Sequence, residues 1–312
     1  MQSKTSSNSD LIKIGRFAPS PTGSLHFGSL VAAVASYLCA RQHPESKWLL
    51  RIEDVDTERK QKGATRSIIQ TLEDFGFTWD NQISYQSERY ELYETALKTI
   101  NYHVYPCSCT RKDLQALSTD TVYGYNYPGL CRNGQLNKDV KRPSIRVVTD
   151  NQEICFQDEC QIDQFCQNIE ADIGDFILKR RGGLFAYQLA VVVDDHLQGV
   201  NHVVRGADLF DNTPRQIFLQ KLLGYQTPDY LHFPVATTQD GKKLSKQNHS
   251  PEIIASNTKS ILQALINAMV FLGQTPPDIN NFSNTNDFWQ WSINNWDSDK
   301  IPKSMNIVYQ EE

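Results

Sequence analysis

The segment between residues 19 and 29 combines the residue types that a phosphate-binding site needs. Pro19-Ser20-Pro21-Thr22-Gly23 has the composition of a turn, and Leu25-His26-Phe27-Gly28-Ser29 follows where a helix should begin. A helix N-terminus offers unpaired backbone N–H groups and a partial positive charge. Gly23 and Gly28 let a nucleotide approach the backbone, and His26 can donate to a phosphate oxygen. These features are compatible with a nucleotide phosphate site, but spacing alone leaves open an ordinary helix start with His26 as a cap or surface residue.

A second cationic segment, Gly241-Lys242-Lys243-Leu244-Ser245-Lys246, lies far along the chain. Its lysines flank a serine after a glycine turn. A loop of this kind can place ammonium groups on a polyphosphate and close over charge that develops in the transition state. In isolation the same pattern favours a solvated basic loop.

Three of the seven cysteines, Cys107, Cys109 and Cys131, lie close together in the sequence. In an extended segment, positions 107 and 109 point to one side, and the Pro128-Gly129 turn lets Tyr127 and Cys131 converge on them. Spacing alone leaves a zinc site and a set of buried free cysteines equally open. An odd total with three cysteines so close together favours metal over disulfides in a reducing compartment. The other cysteines have no such neighbours in sequence: Cys39, Cys155, Cys160 and Cys166.

These residues sit on an alternating pattern of strands and helices. Residues 11–18 predict a buried strand that the prolines of the turn must end. Apolar residues at helical spacing follow up to Leu38, and residues 47–52 predict a second strand that leads into the acidic Glu53, Asp54 and Asp56. Strand, helix and strand within about fifty residues form a βαβ unit, so we expect an α/β fold with a Rossmann-like parallel sheet.

The remaining chain divides by pattern. Helical periodicity covers residues 64–75 and 90–100, and a stretch of short, cysteine-containing pieces then suggests an insertion. Alternation resumes near residue 174 with a strand at 201–205 and a helix at 211–223, and a last helix at about 258–272 precedes an Asn-rich tail. We therefore expect a first half-domain at 11–100, an insertion at 101–171, a second half-domain at 172–250 and a small helical part at 251–312.

Composition narrows the class of protein. The 312 residues are 39% hydrophobic and 21% charged, which is ordinary for a globular chain. No run approaches the ~18 apolar residues of a membrane helix, and the polar N-terminal residues lack the pattern of a signal peptide, so we expect a soluble, cytoplasmic protein. A formal charge of −5 argues against nonspecific coating of nucleic acid but leaves room for a local basic groove.

Five motifs, taken in order, resemble the catalytic domain of glutamyl-tRNA synthetases, which are class I aminoacyl-tRNA synthetases. The resemblance covers about residues 11 to 250. Ser29 replaces the second histidine of the first class I signature, and Leu244 and Gln247 replace Met and Ser in the second. The motifs are Arg16-Phe17-Ala18-Pro19-Ser20-Pro21-Thr22-Gly23, Leu25-His26-Phe27-Gly28, Arg51-Ile52-Glu53-Asp54-Val55-Asp56, Arg205-Gly206-Ala207-Asp208 and Lys243-Leu244-Ser245-Lys246.

This resemblance implies roles for individual residues. Arg16 would hold the side-chain carboxylate of the amino acid and Glu53 its α-ammonium group, with Tyr187 and Arg205 completing the pocket. The same residues could suit glutamine. His26 and Lys246 would be catalytic, with Mg²⁺ as the counter-ion of ATP. The implied glutamate site is Arg16, Phe17, Ala18, Pro19, Ser20, Glu53, Tyr187 and Arg205, and the implied ATP site is Pro19, Thr22, Gly23, His26, Gly28, Ser29, Lys243, Leu244, Ser245 and Lys246.

The cysteine cluster resembles the zinc site of a short paralogous family, the glutamyl-queuosine tRNA(Asp) synthetases. That resemblance implies Zn²⁺ on Cys107, Cys109, Tyr127 and Cys131. Only 66 residues follow Lys246, fewer than a separate anticodon-binding domain needs, and the short paralogues share this build. Members of that family activate glutamate with ATP and transfer it to queuosine in the anticodon loop of tRNA(Asp). We expect this function in a monomer. The alternatives are a truncated glutamyl-tRNA synthetase that charges a 3′ end and an inactive synthetase-like binding module.

Overall fold

The computed structural model of the protein describes residues 12–117, 119–121, 123–135, 137–161, 164–244, 253 and 256–309. Within these ranges, no helix combines the length and apolar character needed to cross a lipid bilayer. The first third of the chain alternates strands and helices. Its elements are β1 (Ile14–Phe17), α1 (Phe27–Ala40), β2 (Lys47–Ile52), α2 (Ala64–Asp74), β3 (Ser84–Tyr85) and α3 (Tyr90–Thr99).

The predicted βαβ unit is present. β1, β2 and β3 form a parallel sheet in that order, with Gly15 opposite Trp48 and Arg51 opposite Ser84. α1 consists mainly of small and aliphatic residues, and it is buried because it packs against β1, β2 and other elements of the core. β2 spans the residues predicted for it. β1 ends at Phe17, because Pro19 has no N–H to donate to a neighbouring strand and so cannot continue the ladder.

The region predicted as an insertion is built from short antiparallel strands. β4 and β7 form one sheet with β10, which lies after the predicted end of the insertion at residue 171. Two hairpins, β5–β6 and β8–β9, complete the strands of this region. Cys155 and Cys166, which the sequence pattern does not connect, face each other across β8 and β9 and are disulfide-bonded. The elements are β4 (Val104–Cys107), α4 (Arg111–Leu117), β5 (Thr119–Thr121), β6 (Gly124–Asn126), β7 (Ser144–Val147), β8 (Glu153–Phe156), β9 (Phe165–Asn168), α5 (Ile169–Asp172) and β10 (Ile177–Lys179).

The last part of the chain returns to parallel pairing. β11 pairs with β12, and β11 also lies beside β1, where the Asn201 N–H donates to the Ile14 carbonyl at 3.1 Å. β1 and β2 therefore lie next to the β11–β12 pair. The elements are α6 (Tyr187–Leu197), β11 (His202–Gly206), α7 (Thr213–Leu223), β12 (Asp229–Phe233), β13 (Val235–Thr237), α8 (Thr258–Phe271), α9 (Thr285–Asn295) and β14 (Asn306–Val308).

The C-terminal helices pack into the same core as α1. α8 contacts α1 directly, and Phe288 and Trp289 of α9 are buried in the cluster that contains α1. α9 lies in the Asn-rich tail, where the hydrophobic periodicity is weak. Asn284 caps this helix by accepting a hydrogen bond from the Asp287 N–H at 3.0 Å, so asparagine here marks a helix start. β14 pairs with β13 and ties this part of the chain to the core.

Candidate active site

A cavity of about 660 Å³ opens where β1, β2 and β11 end, next to the N-terminus of α1. The carboxyl ends of parallel strands are where α/β sheets bind their ligands. Most of the residues implied by the motifs line it. Those in its wall are Arg16, Phe17, Ala18, Pro19, Ser20, Thr22, His26, Gly28, Ser29, Glu53, Tyr187, Arg205, Lys243 and Leu244. Gly23 is in the adjoining turn, and Ser245 and Lys246 lie outside the described residues.

The end of the cavity where the motifs predict phosphate binding is the start of α1. His26 is the N-cap, and its carbonyl accepts hydrogen bonds from the Ser29 and Leu30 N–H groups at 2.9 and 3.0 Å. Gly23 has φ +140°, a conformation that residues with a Cβ rarely adopt. A Cβ at Gly28 would lie 3.2 Å from the His26 ring. Glycine at both positions therefore lets the turn and the imidazole pack closely around the helix N-terminus.

The second lysine-rich motif begins at the mouth of this cavity. The Leu244 N–H donates to the Ala236 carbonyl at 2.8 Å, which fixes the described end of the motif to β13. The Lys243 ammonium lies 2.5 Å from the Asp208 carboxylate. Two separate motifs of the sequence, around Asp208 and around Lys243, thus meet beside the helix N-terminus.

The end of the cavity where the motifs predict the amino acid contains two arginines, one glutamate and one tyrosine. Arg16 comes from the end of β1, Glu53 from the residue after β2, Arg205 from β11, and Tyr187 from the first turn of α6. The Glu53 N–H donates to the Pro19 carbonyl at 3.0 Å, so the turn after β1 is tied to the end of β2. The four side chains come from distant parts of the sequence and face one cavity.

A buried ion-pair network that sequence reasoning missed holds this end in place. Asp195 accepts from Arg16 Nε at 3.2 Å and from Arg51 Nη2 at 2.7 Å. Arg51 is fully buried and also lies 3.5 Å from Glu53. Asp194, the neighbour of Asp195, accepts from Gln86, Arg89 and Tyr93. The signal that could have revealed this network is the pair of adjacent acids, Asp194 and Asp195, directly after the apolar run 184–193, because buried acids need charged or hydrogen-bonding partners.

Burial governs the ionisation of Glu53. Loss of hydration raises the pKa of Glu53 to about 7, and the positive charges of Arg51 and Arg16 only partly oppose this effect. Asp195 behaves in the opposite way, because the two arginines outweigh burial and hold its pKa below the usual range. A cationic ligand near Glu53 would therefore stabilise its ionised form.

Arg205 has a different environment from Arg16. Its guanidinium donates to His232 Nε2 at 2.9 Å, to Gln216 Oε1 at 2.8 Å and to Thr213 Oγ1 at 2.8 Å. No carboxylate of the described residues lies within 4 Å of it. Arg205 is only 5% exposed, so the cavity wall contains a buried positive charge that neutral acceptors hold in place.

A second cluster gathers the predicted metal ligands away from the cavity wall. Tyr127 Oη lies 3.3 Å from Sγ of both Cys107 and Cys109, and Sγ of Cys109 lies 3.6 Å from that of Cys131. All three sulfur atoms lie within 4.8 Å of one another. Tetrahedral Zn²⁺ with Zn–S bonds of ~2.3 Å and a Zn–O bond of ~2.0 Å needs edges of about 3.8 Å and 3.5 Å. The donor types and spacings therefore fit a zinc ion. None of these four residues lines the cavity.

The comparisons with known proteins agree with this architecture. Residues 14–307 match the family described as tRNA synthetases class I (E and Q), catalytic domain. The chain is 46% identical to the glutamyl-Q tRNA(Asp) synthetase of Dechloromonas aromatica over 298 residues, which are 94% of this chain and 97% of that protein. It is 44% identical to the glutamyl-Q tRNA(Asp) synthetase of Neisseria meningitidis over 93% of this chain and 97% of that protein.

The fold is also that of a solved synthetase. A crystal structure of glutamate-tRNA synthetase from Elizabethkingia anophelis superimposes with a TM-score of 0.77 at 24% identity, over 96% of this chain and 68% of that one. The predicted class I catalytic fold is thereby confirmed. The chain belongs to the class I tRNA synthetases (E and Q), and within them to the family of the glutamyl-Q tRNA(Asp) synthetases.

Proposed function

We propose that this chain activates L-glutamate with ATP and transfers the glutamyl group to the queuosine base at the first anticodon position of tRNA(Asp). The observation that carries this proposal is the cavity with two arginines, one glutamate and a helix N-terminus, in a chain similar to glutamyl-Q tRNA(Asp) synthetases over nearly their whole length. The names of those relatives support the acceptor, and the charges of the cavity support the amino acid.

The cavity complements glutamate in charge. Glutamate has two carboxylates and one ammonium group, and the cavity offers Arg16 and Arg205 to an anion and Glu53 to a cation. Asp195 balances Arg16, but neutral groups alone hold Arg205. A glutamine amide would leave this buried cation without a counter-charge, so the arrangement favours glutamate. Tyr187 completes the wall between them.

ATP would bind with its phosphates at the N-terminus of α1. An oxygen of the glutamate α-carboxylate attacks the α-phosphorus, the new C–O–P linkage forms as the bond to the β-phosphate breaks, and pyrophosphate leaves. His26, Lys243 and Lys246 would stabilise the charge that builds on the phosphate oxygens. Mg²⁺ supplies further positive charge to the phosphates when ATP is bound. Pro19, Thr22, Gly23, Gly28, Ser29, Leu244 and Ser245 would shape the remainder of the ATP site.

The second step uses a hydroxyl group of the queuosine cyclopentene ring. Its oxygen attacks the carbonyl carbon of glutamyl-adenylate, the ester bond forms, and AMP leaves with its phosphate oxygen. We expect Arg180 and Arg181 to contact the tRNA backbone. Arg180 pairs at 2.8 Å with Asp56, which also accepts from Arg59 of the cavity wall. Arg181 donates to the Ser108 carbonyl at 2.8 Å, between two of the cysteines. Their turn therefore connects the reaction site to the insertion.

We also propose that Cys107, Cys109, Tyr127 and Cys131 hold a structural Zn²⁺. The separations of their donor atoms support this assignment, and bound zinc would fix the fold of a region with few long strands. Residues 11–100 and 172–250 would then form the two halves of the catalytic domain, with the zinc insertion at 101–171 and the helical part at 251–312. ATP and tRNA as substrates place such an enzyme in the cytoplasm, where we expect a monomer.

ATP–pyrophosphate exchange without tRNA tests the activation step. Exchange should not need tRNA, because the pocket residues and the phosphate-binding motifs lie in one cavity. It should depend on glutamate and should not occur with glutamine or aspartate. The Arg16→Ala variant should lose exchange, whereas Arg66→Ala, which removes an exposed arginine outside this cavity, should retain it. Exchange that glutamine supports better than glutamate would overturn the assignment of Arg16. An intact protein with no exchange for any amino acid would indicate a binding module.

A further inference from the structure

Hydrogen bonds connect Arg205 to two buried side chains, those of His232 and Asp158, and Asp158 lies in the segment after β8. Arg205 Nε donates to His232 Nε2 at 2.9 Å, and His232 Nδ1 lies 2.5 Å from Asp158 Oδ2. Both His232 and Asp158 are buried, and neither lines the cavity. We propose that Asp158 and His232 are positioning residues, which fix the direction of the Arg205 guanidinium and so the affinity of the cavity for a glutamate carboxylate.

One carboxylate oxygen of Asp158 accepts hydrogen bonds from backbone N–H groups, and the other faces the ring of His232. Its Oδ1 accepts from the N–H groups of Gln161 at 2.9 Å, Cys160 at 3.0 Å and His232 at 3.3 Å. The carboxylate therefore cannot rotate without losing these hydrogen bonds. Its Oδ2 is left facing His232 Nδ1 as an acceptor.

This arrangement selects one tautomer of His232. Nδ1 must carry the proton, because the atom opposite it can only accept, and Nε2 must be the acceptor, because Arg205 Nε–H can only donate. Burial, opposed by the hydrogen bond to Asp158, lowers the pKa of His232 to about 4, so the ring is neutral near pH 7. A neutral ring in this tautomer is the form that can accept from Arg205.

The tautomer of His232 matters because it determines whether the ring can accept from Arg205 and so hold its guanidinium in place. Gln216 and Thr213 accept from the terminal nitrogens of Arg205, and His232 accepts from Nε, so the guanidinium plane is held at three points. The ring of Tyr230 lies beneath it, 5.4 Å from the guanidinium carbon. Loss of the Nε contact would leave the guanidinium held only through its terminal nitrogens, by Gln216, Thr213 and the Leu209 carbonyl, and so less firmly directed at the cavity. The inference rests on the proposed function, since glutamate is the anion that Arg205 would hold.

The isosteric Asp158→Asn variant tests this inference. Its carboxamide oxygen can keep the three backbone hydrogen bonds, which places the NH₂ group against His232 Nδ1. His232 would then carry its proton on Nε2, opposite the Arg205 Nε–H, and two donors would face each other. We expect the KM for glutamate in ATP–pyrophosphate exchange to rise about tenfold, while the KM for ATP and kcat change little. Asp229→Asn, an exposed residue on the same strand as His232, is the matched control and should behave like the unmodified enzyme.

The nitrogen-15 NMR spectrum of the imidazole reports the tautomer directly. The unmodified enzyme should show His232 protonated on Nδ1, and Asp158→Asn should show the proton on Nε2. An unchanged KM for glutamate in Asp158→Asn, or a proton on Nε2 in the unmodified enzyme, would overturn the positioning role. The NMR result needs no variant and no activity, so it stands if Asp158→Asn does not fold. Failure of the unmodified enzyme to exchange with glutamate would instead refute the proposed function.

Discussion

Glu53 is the residue whose replacement tests the electrostatics of the cavity most sharply. Its side chain is about 10% exposed, and burial raises its pKa from 4.5 to about 7 despite Arg51 at 3.5 Å. The folded protein therefore binds the Glu53 proton more tightly than the unfolded chain does. Glu53→Gln replaces the ionisable group with a neutral one of the same shape and resembles the protonated form at every pH.

The expected effect follows from the size and direction of the pKa change. A carboxyl group with a raised pKa contributes stability that is fully present below the unfolded value of 4.5 and is lost as pH rises through about 7. Each pKa unit corresponds to about 1.4 kcal/mol, so ionised Glu53 lowers the free energy of unfolding by about 3 kcal/mol above pH 7. We expect Glu53→Gln to be more stable than the unmodified protein at pH 8 and nearly equal to it at pH 5.

Urea unfolding at pH 5 and pH 8 measures this difference. The difference in the free energy of unfolding between Glu53→Gln and the unmodified protein should increase by about 2 to 3 kcal/mol between these pH values. Glu58→Gln, at an exposed position on the same loop, should show no such increase and is the matched control. A difference that stays constant, or that decreases with pH, would mean that the two arginines outweigh burial and would refute the reasoning. Glutamate should bind the unmodified enzyme more tightly as pH rises through 7, since its ammonium group needs an ionised partner.

Three further changes test other parts of the account. Lys246→Ala should slow ATP–pyrophosphate exchange by about a hundredfold, on the order of 3 kcal/mol in the barrier, without unfolding the protein. Lys242→Ala is the control and should have little effect. Equal rates in both variants would mean that this segment is only a basic loop. Cys131→Ser should abolish the binding of about one zinc per chain, by metal analysis of protein prepared without chelator, yet preserve glutamate binding; full zinc content would contradict the ligand set. Arg181→Ala should weaken tRNA binding and lower its salt dependence by about one phosphate contact, whereas Lys221→Ala should not; an unchanged salt dependence would remove Arg181 from the tRNA surface.

The elements that surround the cavity could be predicted well from the sequence. The βαβ unit follows from local periodicity and from the prolines that end β1, and β2 has the predicted bounds. Residues quoted from five separate motifs, such as Arg16 and Arg205, line one cavity because those motifs follow strand ends or begin helices. Local pattern is sufficient where a residue's position in its element determines which way its side chain faces.

The supporting residues could not be predicted in this way. Arg16 and Asp195 are 179 positions apart, and His232 and Asp158 are 74 positions apart, so their pairing depends on the tertiary fold. The Cys155 disulfide depends on the register of β8 and β9, which spacing does not reveal. α9 was missed because its helical character comes from an asparagine cap and buried aromatic residues within a polar segment.

Transfer of radiolabelled glutamate to tRNA tests the central claim most directly. The acceptors are tRNA from cells that make queuosine and tRNA from cells that cannot, each with and without the 3′-terminal adenosine. We predict that the label is attached only to tRNA that contains queuosine, and that removing the 3′ adenosine has no effect. Label that requires an intact 3′ adenosine and ignores queuosine would contradict the proposed acceptor and favour a glutamyl-tRNA synthetase that charges the 3′ end.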